Sequence, residues 1–369
     1  MLIKFGWRYS LVSPSLFVLF LALRYGLKKI MGFFEKAQYP SFNLLSIYVV
    51  QVLMSSFFIW NQNRKNKTTI KPQFLGIALY DKTNVLKRPD SNCKIILLLN
   101  FALSFEIVGA LARQLATNSV VNYDDLYAKY RSSEIIIASI LCYFTLNTKI
   151  FRHHIFILII MFIYLIVSLI LESLYGELGF EILCTIASCV LRVFLDITEK
   201  YLFNTDFIDL HKMQVFEGII NTILSLGLFL LKKPQSEFSN MSKLFNRSKW
   251  DFSWWLSLSI IYCILTGFKN IYRRETIREF TAMTRILAQS ILDPIFIIFG
   301  DVDYNDKYFV VILVFSFVTI FCSCIYNEIF VLYCCGLEKD THLNVINGQD
   351  HYELAYTSTS EENRDTSMI

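Results

Sequence analysis

The sequence predicts an all-α polytopic membrane protein with about ten transmembrane helices, arranged as two inverted five-helix repeats. Three observations lead to this prediction. The 369 residues are 54% hydrophobic and 18% charged, against about 45–50% and about 25% in ordinary soluble domains. Apolar runs of about 17–25 residues, long enough to cross a bilayer as helices, recur between short polar breaks. Finally, two stretches about 151 residues apart carry charges at corresponding places.

Each long apolar run is predicted to be a spanning helix, because a helix satisfies its own backbone hydrogen bonds inside lipid. The predicted spans are 9–26, 42–60, 94–114, 132–149, 154–172, 178–198, 208–231, 253–270, 279–299 and 308–333. The first span has an alternative interpretation, since Lys4 and Arg8 precede a short apolar core as in a secretory signal peptide. No small-residue cleavage site follows it, which favours a span.

Basic residues near the span ends predict the orientation. The loop 61–93 and the segment 269–278, which includes Arg273 and Arg274, are rich in Lys and Arg and are placed in the cytosol together with both termini. The loop 232–252 is basic as well, but it lies on the predicted outer side. It contains Asn240 and Asn246 in N-glycosylation sequons, which need a lumenal face.

The predicted domains follow from an internal repeat. Laying "SSEIIIASILCYFTL" over "AMTRILAQSILDPIF" places Glu134 opposite Arg285, an offset of about 151 residues that also carries the fifth span onto the tenth. The first repeat is then 1–172 and the second 173–335. Because five is odd, the second repeat crosses the bilayer in the opposite sense, a plan common in secondary transporters. The polar, Ser/Thr-rich residues 336–369 are predicted to be a disordered cytosolic tail.

Seven ionisable side chains fall inside the predicted spans, where a charge costs about 2.5–3.5 kcal/mol at the bilayer centre. They are Glu106, Glu134, Arg192, Asp196, Glu217, Arg285 and Asp293. Together they would cost on the order of 20 kcal/mol facing lipid, more than the stability of a typical protein. We therefore expect most of them to face one another or a wet cavity.

Arg285 is the leading candidate for substrate binding, because its planar fork pairs with carboxylate or phosphate at two points. Gln289 lies one turn further on the same helix face. Glu134 is predicted either to couple protons or to form an outer gate. Glu106 is predicted either to line the cavity or to bond a neighbouring helix. The competing interpretation of Arg285 is a side chain that snorkels to the cytosolic boundary.

The remaining charges suggest ion pairs or gates. Arg192 and Asp196 are four residues apart on one helix face, which favours a structural ion-pair cluster over a gate latch. Glu217 either joins that cluster or points into the cavity. At Asp293 and Pro294 the proline breaks the helix hydrogen bonds, which suits a moving gate and equally a packing kink.

Three stretches resemble the drug/metabolite transporter superfamily, in its nucleotide-sugar-transporter-like branch. "RSSEIIIASILCYFTLNTKIFRHHIFILIIMFIYLIVSLI" (131–170) is similar to that family's fourth and fifth spans. "SCVLRVFLDITEKYLFNTDFIDLHKMQVFEGIINTI" (188–223) resembles its sixth and seventh, where the family often has a Glu-Lys pair, here Glu199 and Lys200, and then a Glu, here Glu217. "TRILAQSILDPIFIIFG" (284–300) resembles its ninth.

This resemblance implies a ten-helix carrier that works by alternating access. It also implies a small polar, anionic metabolite such as a nucleotide-sugar as the substrate, and an endomembrane of the Golgi or ER rather than the plasma membrane. The implied partners are the substrate and the lipid bilayer, with a homodimer left open and no nucleic acid.

Other functional classes lack their motifs. The five histidines fall at span ends or in the tail, and "RHH" at 152–154 is predicted to be a membrane-surface anchor rather than a ligand pair. No catalytic residue, cofactor or metal is predicted, and the chain is not expected to be an enzyme. The alternative function is a membrane scaffold or trafficking protein that has a transporter fold but does not transport.

Overall fold

The regular secondary structure in the computed structural model is entirely helical across the residues that it describes. These are residues 12–34, 40–66, 130–146, 148, 150–175, 180–205, 210–231, 249–299 and 306–330. Several predicted features lie outside them: the span 94–114 with Glu106, the sequons at Asn240 and Asn246, most of the loop 61–93, and the tail 336–369. The all-helical fold class is confirmed for the described part of the chain.

The described residues form ten helices. They are α1 (Val12–Phe34), α2 (Pro40–Asn66), α3 (Arg131–Leu146), α4 (Arg152–Tyr175), α5 (Phe180–Thr205), α6 (Leu210–Leu231), α7 (Lys249–Glu279), α8 (Ala282–Ser290), α9 (Asp293–Ile298) and α10 (Asp306–Tyr326). All the predicted spans except 94–114 overlap these helices. The ninth predicted span corresponds to two of them, α8 and α9.

Two of the described helices are by themselves long and apolar enough to cross a membrane, over Arg152–Leu171 in α4 and Phe309–Tyr326 in α10. The prediction of about ten such spans is therefore not confirmed by length and composition. Of the other helices, α3, α8 and α9 have only 16, 9 and 6 residues, and α5 carries buried charges at Asp196 and Glu199.

The described helices group into two compact units. The larger unit contains α1, α2 and α5–α8, and the smaller unit contains α3, α4, α9 and α10. Each unit draws helices from both predicted repeats, 1–172 and 173–335. The two units are defined by which helices pack together, whereas the two repeats are defined by position in the sequence. The units therefore do not test the repeats, which stay a prediction.

In the larger unit, α2 packs against α6 and α1 packs against α7. Gly218 allows the close approach of α2 and α6: a Cβ there would lie 2.5 Å from Val52 Cγ2 and 3.4 Å from the carbonyl oxygen of Tyr48. Small residues at such crossings let two helix backbones approach closely. A buried apolar cluster nearby contains Leu195, Leu202, Phe203, Leu210, Met213, Ile271 and Ile277.

In the smaller unit, α4 packs against α3 and α10, and α9 packs against α10. Ile297 of α9 and Ile312 of α10 are buried together against neighbouring apolar side chains. The rings of Tyr164 in α4 and Phe315 in α10 meet edge to face, with centroids 4.6 Å apart. These contacts place the start of α9 within the smaller unit.

The break between α8 and α9 lies at Ile291 and Leu292, immediately before Asp293. Thr281 caps the start of α8, because its side chain accepts a hydrogen bond from the backbone N–H of Thr284 at 3.3 Å. Pro294 lies in the first turn of α9, where an N–H has no partner within the helix and its absence costs little. The helix break that Pro294 predicts is therefore present.

Candidate functional site: two buried ion-pair clusters

The larger unit contains a buried group of six charged side chains, which we call the Asp196 cluster. Its members are Asp196, Glu199, Glu217, Arg273, Arg274 and Arg285. None of them is more than 8% exposed. The two acids of α5 are three residues apart and so lie on one helix face. The other members come from α6, α7 and α8, so the cluster ties four helices together.

Arg273 of α7 bridges both acids of α5. Its Nη1 donates to Oδ1 of Asp196 at 2.5 Å, and its Nη2 donates to Oε1 of Glu199 at 2.7 Å. Hydrogen bonds between two ionised groups are roughly twice as strong as neutral ones. The single guanidinium therefore fixes α7 against one face of α5.

Arg274 extends the cluster to α6 and α2. Its Nε donates to Oε1 of Glu199 at 2.9 Å, and its Nη2 forms an ion pair with Glu217. Glu217 Oε2 also accepts from Nε2 of Gln51 at 3.3 Å, and Gln51 Oε1 accepts from Nδ2 of Asn270 at 3.0 Å. Glu217 was predicted either to join the ion-pair cluster or to point into the cavity. In this structure it belongs to the ion-pair cluster.

Arg285 of α8 is fully buried and forms an ion pair with Asp196. Its Nη1 donates to Oε1 of Gln289 at 2.9 Å, so the two predicted substrate-binding residues are in contact. A guanidinium that snorkels to a boundary keeps its charged end in water, whereas that of Arg285 is 0% exposed. In this conformation the charge of Arg285 is balanced within the protein by Asp196.

The formal charges of the Asp196 cluster cancel, because it combines three arginines with three carboxylates. Breaking a buried ion pair by removing one partner costs about 3–5 kcal/mol, since the other charge is left buried without compensation. Removal of any one member is therefore expected to destabilise the protein. A ligand that displaced one side chain of the cluster would have to carry the same charge as that side chain.

The smaller unit contains a second group, the Arg131 cluster, formed by Arg131, Glu134 and Asp293. Arg131 binds both carboxylate oxygens of Asp293, through Nε to Oδ2 at 3.0 Å and Nη2 to Oδ1 at 2.8 Å. Its Nη1 donates to Oε2 of Glu134 at 3.1 Å. All three side chains are at most 1% exposed. This two-point pairing joins the first turn of α3 to the first residue of α9.

Arg273 and Arg274 correct one sequence-based prediction. Both were expected in a basic cytosolic loop, but they lie inside α7, which continues to Glu279, and both are buried. The loop is absent because the acids of α5 and α6 provide partners that make burial of the arginines favourable. A signal was present in the sequence, since no proline separates the predicted span 253–270 from Arg273 and Arg274.

Arg192 and Lys200 of α5 were also part of the predicted cluster. Arg192 is half-buried, one turn before Asp196 on α5. Lys200, the second residue of the Glu-Lys pair, donates from Nζ to the backbone carbonyl of Arg278 at 3.0 Å. The acids at 196 and 199 pair with α7 and α8, which the four-residue spacing within α5 did not predict.

A polar stripe on α6 was also missed by the sequence analysis. Gln214, Asn221 and Ser225 are each at most 1% exposed. Their side-chain polar atoms have no hydrogen-bond partner in the described structure. Buried polar groups normally have a partner, so this stripe is a place where water or a polar ligand would be stabilised.

Comparison with protein-family models and with curated proteins gives no match for this chain.

Proposed function

We propose that this chain is an integral membrane carrier that moves a small polar, anionic metabolite, such as a nucleotide-sugar, by alternating access. In that mechanism the binding site opens to one side of the membrane at a time. The observation that carries the proposal is the reversed distribution of polar and apolar side chains on the helices. The exposed apolar faces of the helices would contact the lipid of an endomembrane, in the Golgi or the ER.

Helix α6 presents this reversed distribution most clearly. Its buried face carries Gln214, Glu217, Asn221 and Ser225. Its exposed face carries large apolar side chains at the spacing of one helix face, Phe216, Ile219, Ile223, Leu226 and Leu230. A helix on the surface of a water-soluble protein has the opposite arrangement, with its apolar stripe facing the core. The arrangement of α6 therefore supports lipid as the surrounding of its exposed face.

Helix α4 supports the same conclusion from its composition. It is long and apolar enough to span a bilayer, yet only 28% of that stretch is buried, unlike the mostly buried core helix of a soluble protein. Its exposed apolar side chains include Ile155, Phe156, Ile159, Phe162, Ile163, Ile166 and Ile170. An apolar surface this continuous is rare on a soluble monomer and marks contact with a partner or a membrane.

The positions of the helices support the inverted repeats. Moved along the chain by about 151 residues, α3 falls on 282–297, where α8 and α9 together cover 282–298. Moved by the same amount, α4 falls on 303–326, where α10 covers 306–326. Equivalent helix boundaries are expected if the two halves are repeats of one five-helix unit.

The pairing of Arg285 with Asp196 suggests how an anionic substrate would act. A carboxylate or phosphate that binds Arg285 at Nη2 would replace Asp196, because that acid already pairs with this nitrogen. The displaced acid would keep Arg273 as a partner. Substrate binding would then loosen the contact of α8 with α5, which couples the anion to a helix movement.

The test is counter-transport in proteoliposomes that contain the purified full-length protein. Labelled nucleotide-sugars, nucleotides, amino acids and drug-like cations are screened for saturable exchange, with Arg285→Ala beside the wild type. Arg278→Ala is the matched control, because Arg278 is an exposed arginine whose ion pair with Glu275 spans 3.7 Å. We expect exchange of an anion that Arg285→Ala loses and Arg278→Ala keeps.

Two results would contradict the proposal. Exchange that survives in Arg285→Ala at equal protein content would remove Arg285 from the substrate site. No exchange of any compound by well-folded protein would favour the alternative, a non-transporting scaffold or trafficking protein.

A further inference from the structure

Two histidines and a glutamate come together in the smaller unit, at the start of α4 and just after the end of α10. His153 and His154 lie in the first turn of α4, and Glu328 is the second residue after α10. One nitrogen or oxygen of each side chain lies within 4.8 Å of those of the other two. His153 Nε2 is 3.4 Å from Glu328 Oε1. These residues take no part in the two ion-pair clusters.

His153 is the least satisfied member of the group. It is 3% exposed, and neither of its ring nitrogens makes a hydrogen bond within the described structure. Its ring stacks on Phe151 with centroids 5.9 Å apart, which provides an apolar wall and no polar partner. A buried imidazole without hydrogen bonds is costly, whereas the same nitrogen is among the commonest metal ligands in proteins.

His154 is held as metal-binding histidines usually are. Its Nε2 lies 3.1 Å from the backbone carbonyl of Tyr326, and its ring stacks on the Tyr326 ring with centroids 4.3 Å apart. An N–H at Nε2 that donates to this carbonyl leaves the lone pair on Nδ1, which now accepts a 3.3 Å hydrogen bond from the N–H of Phe151. Metal ligands typically donate their second ring N–H to a backbone carbonyl in this way.

Glu328 occupies a position where a glycine would be expected. Its φ is 55°, in the left-handed region. Its N–H bonds the carbonyl of Ile325 at 3.0 Å, and the next N–H, of Ile329, bonds the carbonyl of Cys324 at 2.9 Å. This is the pattern of a Schellman helix end, in which glycine is the usual residue. A non-glycine residue held in this conformation is a recurrent mark of functional sites.

We propose that His153, His154 and Glu328 form a binding site for one divalent transition-metal ion, with Zn²⁺ as the best match. Two imidazoles and one carboxylate are an established ligand set for zinc, with a water as the fourth ligand. Zinc ligands at about 2.0–2.2 Å in tetrahedral geometry lie roughly 3.4 Å from one another. The His153–Glu328 separation already has this value, and the bound ion would link the start of α4 to the end of α10.

The first test measures Zn²⁺ binding to the full-length protein in detergent after dialysis against a chelator. A chromophoric chelator competes for the ion, and bound zinc is counted per chain. We expect one site in the wild type and a loss of about tenfold or more in its affinity in His153→Phe. His211→Phe is the control, since it removes an imidazole that stacks on Phe58 outside the group and should keep the site.

A second variant keeps the test decisive if His153→Phe fails to fold. Glu328→Gly suits the left-handed backbone, so the metal-free protein should unfold at the same temperature as the wild type or higher. Zn²⁺ should raise the unfolding temperature of the wild type but not of Glu328→Gly. An equal rise in both proteins, or equal zinc affinity in the wild type and His153→Phe, would overturn the proposal.

Discussion

Arg131 and Asp293 are 162 residues apart in the sequence, and the guanidinium of one binds both carboxylate oxygens of the other. Arg131 is the first residue of α3 and Asp293 is the first residue of α9. Glu134 adds a third contact at 3.1 Å. A charged pair with this geometry, fully removed from solvent, makes the starts of two helices depend on each other.

A double-mutant cycle on this pair should therefore give strong coupling. We expect Arg131→Ala and Asp293→Ala each to lower the free energy of unfolding by about 3–5 kcal/mol, because each leaves a buried charge without its partner. The double variant should cost less than the two single costs added, by about 1–3 kcal/mol. Equilibrium unfolding of the detergent-solubilised protein measures these values.

The pair of half-buried Glu275 and exposed Arg278, 3.7 Å apart, is the control for that cycle. Its coupling should be about 0–1 kcal/mol, as is usual for surface ion pairs. Additive costs at Arg131 and Asp293 would contradict the buried two-point pairing.

Gly218 should be intolerant of even one added methyl group. The Cβ of Gly218→Ala would meet Val52 Cγ2 at 2.5 Å, and we expect a loss of about 1–3 kcal/mol in unfolding free energy from this overpacking. Val52→Ala should restore part of the loss by removing the clashing methyl.

Gly227→Ala on the same helix is the control, because nothing lies within 4 Å of its Cβ. It should be neutral or stabilising, since alanine is the better helix former. A loss at Gly227 equal to that at Gly218 would mean that the α2–α6 contact at Gly218 does not explain the result. Thermal unfolding of Gly218→Ala, of Gly218→Ala with Val52→Ala, and of Gly227→Ala separates these cases.

Asp196→Asn should raise the affinity of the carrier for its anion. The substitution keeps the shape of the side chain and removes the charge that occupies Arg285. We expect the concentration for half-maximal exchange to fall by about tenfold, a change of about 1.4 kcal/mol, while the protein itself becomes less stable. Counter-transport in proteoliposomes measures the concentration dependence.

Glu199→Gln is the matched control for Asp196→Asn. It makes the same change of charge in the same cluster, but the ion-pair partners of Glu199 are Arg273 and Arg274. It should lower stability without raising anion affinity. Equal affinities of the wild type and Asp196→Asn would refute competition between the substrate and Asp196.

Glu275 should give the protein a pH-dependent stability. Burial raises the pKa of this carboxyl above its ordinary 4.5, Glu279 raises the pKa further, and Arg278 opposes the increase. The folded state therefore holds the proton more tightly than the unfolded state, so stability is greatest below pH 4.5 and falls as the pH rises through the folded pKa. Unfolding temperatures at closely spaced pH values, in the wild type and Glu275→Gln, measure this contribution.

We expect Glu275→Gln to lose this part of the pH dependence and to gain stability at neutral pH. Arg278→Gln should have the opposite effect and extend the dependence to higher pH, because the opposing positive charge is gone. Identical pH profiles of the wild type and Glu275→Gln would exclude the carboxyl as the source.

The sequence was sufficient to predict helix positions, because long apolar runs and helix breakers are local signals. The predicted spans 154–172 and 208–231 fall within a few residues of α4 and α6. Pro294 likewise predicted the break between α8 and α9. The contact of Arg285 with Gln289 was predictable because four residues form one helical turn.

For the part of the chain that the structure describes, the sequence by itself therefore determined that it is helical, where most of its helices lie and which of them carry charges. Only the tertiary structure decided the partners of those charges. Arg273 and Arg274 lie on a buried helix face rather than in a predicted loop. Glu328 lies beside His153 and His154, which precede it in the sequence by 175 and 174 residues. The physical reason is that helix formation depends on neighbours in the sequence, whereas burial of a charge depends on an opposite charge that folding brings from a distant helix.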